Sequence, residues 1–258
     1  MKKKLYSLAT FALMAFALAA CEGDDASGNL RSNDAASSSS PTGKGGSMAR
    51  FAINGDFLYT VDNTNLKVFN ITTPAVPKPQ STVSLNFGVE TIFPYKNNLF
   101  IGTSTGMYIF DVQTPGVPQQ LSWYQHIVSC DPVAADDNYA YVTLRSGTTC
   151  RAGMNRLEIV DISNLQNPRL VKEYNMSNPK GLGVDGKKLF VCDDGLKVYD
   201  ISDVQNLQLM QHFNNVNSYD VIPNAGLLLL TGNDGFYQYQ YTNSAIQLLS
   251  KIPVQPTL

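Results

Sequence analysis

The chain has 258 residues, 43% of them hydrophobic and 16% charged, with a formal charge of −2. That much apolar content excludes a disordered chain and is enough for one large core or two modest ones. The mild acidity argues against a nucleic-acid partner, which rewards a basic face.

The first element is a targeting segment. Lys2, Lys3 and Lys4 form a positive start, and the apolar run from Leu5 to Ala20 is too short and wrongly flanked for a membrane span. Residues 1–20 therefore read as a secretory signal peptide. Its end, Leu18-Ala19-Ala20-Cys21, resembles the lipobox of bacterial lipoproteins. That resemblance implies cleavage before Cys21 and acyl chains such as palmitate on it, each buried methylene adding about 0.8 kcal/mol of membrane affinity. The membrane is then a partner through the anchor alone.

Residues 21–47 are rich in Ser, Gly, Asp, Asn and Ala and show no apolar period. Such a segment cannot bury enough surface to offset its ordering entropy and is expected to be a flexible tether. Glu22-Gly23-Asp24-Asp25 resembles the acidic signal that carries some lipoproteins to the outer face of the outer membrane. The expected address is an outer-membrane lipoprotein, exposed at the cell surface.

From residue 48 to 258 the chain repeats itself. The segments LKVFNI (from Leu66), MYIFDV (Met107), LEIVDI (Leu157), LKVYDI (Leu196) and FYQYQY (Phe236) start 41, 50, 39 and 40 residues apart. Each follows a second apolar segment across a turn (NGDFLYTV, KNNLFIGT, DDNYAYVT, GKKLFVCD, NAGLLLLT) and precedes a third, with a fourth short apolar piece before the next period. Four short strands per period, punctuated by Gly, Asn, Asp and Pro, predict an all-β propeller of five blades, each of four antiparallel strands. Both alternating faces of the repeated strands are largely apolar, as stacked blades require. The first blade opens with an inner strand near Arg50 to Ile53, and the last closes with an outer strand near Ile246 to Val254. No strand is left to close the ring by exchange, so the first and last blades are expected to seal by packing.

The phrase Val/Ile-Asp-Ile-Ser followed by Asn-x-x-Asn-Pro resembles the LVIVD repeat family of bacterial lipoproteins. The likeness is strong at Leu157–Val171 and Leu196–Met210 and poor at Phe236, where Gln240 replaces the Asp. It implies a secreted β-propeller. The repeated Asp111, Asp161 and Asp200, with Asn70 as their equivalent, suggest a carboxylate ring; the better reading is that each bonds nearby backbone N–H groups and fixes a turn.

Catalytic signals are thin. HExxH, paired CxxC, Walker and dinucleotide fingerprints are absent from the sequence, and no Ser/His/Asp set stands out. His126 and His212 read as packing or surface residues. Of the cysteines left after Cys21, Cys192 lies in an apolar strand and is expected as a buried thiol. Cys130 and Cys150 lie in loops that emerge on one face of a propeller, and a Cys130–Cys150 disulfide is expected there. Cys150 belongs to the insertion that lengthens the 50-residue period.

That face also carries the loops entering each inner strand, with Glu90, Asp131, Lys180 and Asp220 near the mouth of the central channel. Together with Arg145, Arg151 and Arg156 of the insertion they make the candidate binding face. Three acids and a lysine around an axis suit a protein partner or a polar, glycan-like ligand. No cofactor is expected, although a structural cation in the channel is compatible with the acids. Two functions follow: a non-catalytic binding or scaffold protein held on a lipid anchor, or a surface hydrolase or lyase with an axial site.

Overall fold

The structure, a computed structural model, describes residues 45–126, 132–147 and 154–254. They form five antiparallel sheets of four strands, each built from strands consecutive in sequence. Blade 1 is β1 (Phe51–Asn54), β2 (Phe57–Val61), β3 (Asn65–Asn70) and β4 (Lys78–Ser84). Blade 2 is β5 (Val89–Tyr95), β6 (Asn98–Thr103), β7 (Gly106–Asp111) and β8 (Gln119–Gln125). Blade 3 is β9 (Val133–Ala135), β10 (Tyr139–Leu144), β11 (Arg156–Asp161) and β12 (Arg169–Asn175). Blade 4 is β13 (Pro179–Asp185), β14 (Lys188–Asp193), β15 (Leu196–Asp200) and β16 (Gln208–Phe213). Blade 5 is β17 (Ser218–Asn224), β18 (Leu227–Gly232), β19 (Gly235–Tyr241) and β20 (Ile246–Pro253).

The repeat is kept in detail. In every blade the register between the third and fourth strands slips once, at Val68/Phe69, Ile109/Phe110, Ile159/Val160, Val198/Tyr199 and Gln238/Tyr239. A bulge at one fixed place bends each outer strand in the same way. The repeated Asp does turn work: the carboxylates of Asp111, Asp161 and Asp200 accept the N–H of Gln113, Ser163 and Ser202 at 2.7, 2.8 and 2.8 Å. Asn70 accepts that of Thr72 at 2.9 Å. The hydroxyls of Ser163 and Ser202, together with these N–H bonds, hold Asp161 and Asp200 below the usual carboxylate range.

Blades stack through apolar junctions. Each has a leading face toward the preceding blade and a trailing face toward the next. On trailing faces Leu66 and Val68, Met107 and Ile109, Leu157 and Ile159, and Leu196 and Val198 are all buried. They pack on leading-face residues such as Phe110, Val142, Leu189 and Tyr239 in four separate clusters. Each fully buried Leu, Ile, Val or Phe contributes about 1.5–3 kcal/mol. Hydroxyl pegs reinforce the rim: Ser81 donates to Gly116 O at 2.7 Å, Ser122 to Leu165 O at 2.6 Å and Tyr174 to Val204 O at 2.8 Å.

The blade count is as expected, but the packing seal between blades 5 and 1 is not formed. The four clusters join blades 1 to 2, 2 to 3, 3 to 4 and 4 to 5, and among the described residues no such cluster joins 5 to 1. On blade 5 the trailing-face Leu229 and Phe236 are 47% and 54% exposed, and on blade 1 the leading-face Phe51 is 60% exposed. The physical reason is in β19. Gln238 stands at the register position that holds Val or Ile in the other four blades. An amide there favours a wet face over a buried one.

Candidate functional site

The inner strands β1, β5, β9, β13 and β17 bound a central channel. Where they begin, the channel opens into a mouth of about 440 Å³ lined by Val89, Glu90 and Thr91 of β5, Pro132 before β9, Arg145 after β10 and Lys180 of β13. Met48, Arg50 and Asn63 of the first blade and its approach complete the wall. Glu90, Arg145 and Lys180, separate in sequence, are thus brought together as the loop pattern suggests. Met48 and Arg50 were not among the sequence candidates: Met48 lies before the first strand, and Arg50 reads from sequence only as the start of that strand.

Lys180 is held from several sides. Its Nζ donates to Asn217 Oδ1 at 3.1 Å and Ser218 O at 3.2 Å, and it lies 4.5 Å from the centre of the Tyr219 ring. Burial lowers its pKa, and the charge of Arg145 pushes the same way. Arg50 donates from Nη2 to Val89 O at 3.1 Å. The site therefore offers fixed cations beside one carboxylate, an arrangement that orients a polar ligand.

Asp220 stands elsewhere. Its carboxylate lies below the mouth and accepts Ser47 Oγ–H at 3.0 Å, Met48 N–H at 3.3 Å and Val221 N–H at 2.9 Å. Burial pushes it up to about 6, against those hydrogen bonds. A Cβ on Gly46 or Gly181 would sit 2.0 or 2.1 Å from a carboxylate oxygen, so the two glycines make room for it. Arg156, grouped by sequence with the mouth, is instead buried within blade 3, paired with Glu158 at 2.8 Å and Glu173 at 2.9 Å. Asp131, Arg151, Cys130, Cys150 and the lipidation position Cys21 lie outside the described residues.

The described ends of the insertion are pinned by Asn155, whose side chain accepts Ser146 N–H and Oγ–H at 2.8 and 3.0 Å and donates to Ser177 O at 2.6 Å. Cys192 is a buried thiol, pushed up to about 12 by desolvation. His212 is exposed and within 2.7 Å of Asp194 O, and the His126 ring lies 6.3 Å from that of Tyr124. Among the described residues no group of three or more His, Cys, Asp and Glu is placed to hold a metal ion.

At the other end, where the inner strands finish, a second cavity of about 400 Å³ is lined by Phe93, Tyr95, Leu182, Val184, Val221 and Pro223, with Gly45 at its wall. It is the more apolar of the two. Lys96, Asp136 and Asp185, from blades 2, 3 and 4, also line it.

Residues 129–176 match the family described as LVIVD repeat. No curated protein matches the chain in sequence. Among solved structures it is similar to a protein from Lactobacillus plantarum, at 13% identity and TM-score 0.63 over 81% of this chain and 72% of that one. A functionally unknown protein from Desulfotomaculum acetoxidans gives 10% identity and TM-score 0.63 over 79% and 69%. The periplasmic gluconolactonase of Pseudomonas aeruginosa gives 13% and 0.58 over 78% and 69%. At these identities the likeness carries the fold alone: the chain is a β-propeller that contains an LVIVD repeat.

Proposed function

We propose that the protein is a lipid-anchored propeller of the cell envelope that binds a protein or a polar, glycan-like ligand at the axial mouth without transforming it. The observation that supports this is the mouth itself. Arg50, Glu90, Arg145 and Lys180 converge on one cavity from four different blades, and a rigid scaffold that gathers charges from distant loops is suited to recognition. The anchor is Cys21, the tether is residues 21–44, and the address is the outer membrane with the propeller displayed at the cell surface.

The alternative is a surface hydrolase or lyase, favoured by the likeness to a gluconolactonase. The mouth offers Glu90 as a candidate acid or base, but fold likeness does not transfer an activity. One experiment separates the two. Wild type and the double variant Glu90→Gln, Arg145→Gln are used to capture partners from the cell envelope, and both are assayed against sugar lactones. Capture by wild type and loss by the folded variant support the binding reading. Equal capture places the function elsewhere, and Glu90-dependent lactone turnover replaces binding with catalysis. For the anchor, Cys21→Ala is expected to lose the lipid by intact mass and to release the protein from membranes; retention would refute it.

A further inference from the structure

Composition assigns residues 45–47 to the tether, yet Ser47 is wholly buried. Its hydroxyl donates to Asp220 of β17 and accepts the N–H of Leu182 of β13 at 2.8 Å. Two residues on, Ala49 O accepts the N–H of Ile92 of β5 at 2.8 Å. A turn joins these contacts, with Ala49 N–H donating to Gly46 O at 3.1 Å. Gly45 lines the apolar cavity at the far ends of the inner strands, while Met48 and Arg50 line the mouth at their near ends. The segment thus runs along the channel from one end to the other and touches blades 2, 4 and 5 before becoming β1.

We infer that Gly45–Arg50 is an axial clasp that holds blade 1 to blades 2, 4 and 5 where no apolar junction joins the first blade to the last. The clasp works through hydrogen bonds in a place shielded from water, where leaving Leu182 N–H or the Asp220 carboxylate without partners is costly. It also explains Gly46, since any side chain there meets Asp220. The described arm starts, at Gly45, at the end of the channel opposite the mouth. Arg50, at the clasp's end, is placed in the mouth wall by the same contacts.

The test uses amide hydrogen exchange on the full mature chain. Ser47→Ala removes the acceptor of Leu182 N–H and is expected to speed exchange of that amide at least tenfold while Val191, inside blade 4, keeps its rate. Gly46→Val is expected to expel the arm, speeding both Leu182 and Ile92 and opening the bond after Arg50 to trypsin. Wild-type rates at Leu182 in Ser47→Ala would overturn the clasp, as would an Arg50 bond cut equally fast in wild type. If Gly46→Val does not fold, Ser47→Ala decides alone. Neither result depends on a lipid at Cys21 or on a ligand in the mouth.

Discussion

Blades 1 and 4 build the same ion pair at the same register. Lys67 meets Asp62 and Lys197 meets Asp193, each at 2.7 Å, but the side chains are 44% and 42% exposed in blade 1 and 16% and 0% in blade 4. In blade 4 the link from blade 3 folds over: Asp193 also accepts the N–H of Ser177 at 3.0 Å and Asn178 at 2.6 Å. In blade 1 Asp62 is met locally, accepting the N–H of Thr64 and Asn65. The rim repeats the contrast, since Gly116 and Pro118 of blade 2 are buried beneath blade 1 whereas residues 72–80 of blade 1 are all exposed. Repeat chemistry belongs to the sequence of one blade; burial belongs to its neighbour.

The widest gap in stability is expected at the third strand. Leu157→Ala removes a fully buried trailing-face side chain at the junction of blades 3 and 4 and is expected to cost about 2–5 kcal/mol in urea unfolding. Phe236→Ala, the same register position on the exposed face of blade 5, is expected to cost less than about 1 kcal/mol. Comparable losses would show that the blade 5 face is covered in solution.

Next in size is the clasp's dependence on pH. Burial raises Asp220 from 3.8 to about 6, so the folded state holds that proton more tightly than the unfolded one. The resulting stability is complete below about pH 4 and is lost as pH rises through about 6, on the order of 2–3 kcal/mol in all. Asp220→Asn is expected to flatten the urea midpoint between pH 5 and 7.5 relative to wild type; an unchanged slope would mean the carboxylate is not desolvated. Cys192 also feels the Asp220 charge, and burial pushes its thiol up to about 12, well above this window.

The ion pairs should separate by less. Lys197→Ala strips a partner from a carboxylate with no exposure and is expected to cost about 1–3 kcal/mol. Lys67→Ala at the exposed pair is expected to cost less than Lys197→Ala, because solvent screens it, and equal values would erase the contrast between the two blades. The smallest effect is expected from Gln238→Val, which restores the interior blades' residue to an exposed face. The monomer should change by less than about 0.5 kcal/mol, while sedimentation should show more self-association.

Much of this was legible beforehand. The five-fold phrase, the strand order and the turn role of Asp111, Asp161 and Asp200 follow from local pattern, because each is made within one repeat. The open ends were only half visible. Gln240 signals a weak last repeat, and Gln238 marks the uncovered face. Blade 1 gives no such sign, because Lys67 and Phe69 read just as Lys197 and Tyr199 do. The mouth follows from Glu90 and Lys180, at the starts of inner strands, and Arg145, just past the end of β10, because every repeat turns the same strand ends toward one face. Arg156 was misplaced because a charge at the edge of an insertion looks like loop until Glu158 and Glu173 claim it. The clasp was hidden, since Ser47 lies in a Gly/Ser run and its burial depends on Asp220, 173 positions away.

Hydroxyl-radical footprinting of the monomeric chain reads side-chain exposure directly and bears most closely on the open ends. Leu229, Phe236 and Phe51 should label at the rates of exposed residues, while Leu157, Leu196 and Phe110 stay protected. Protection of Leu229 and Phe236 equal to that of Leu157 and Leu196 would mean that blades 5 and 1 pack after all, and would contradict the account of a ring held at its axis.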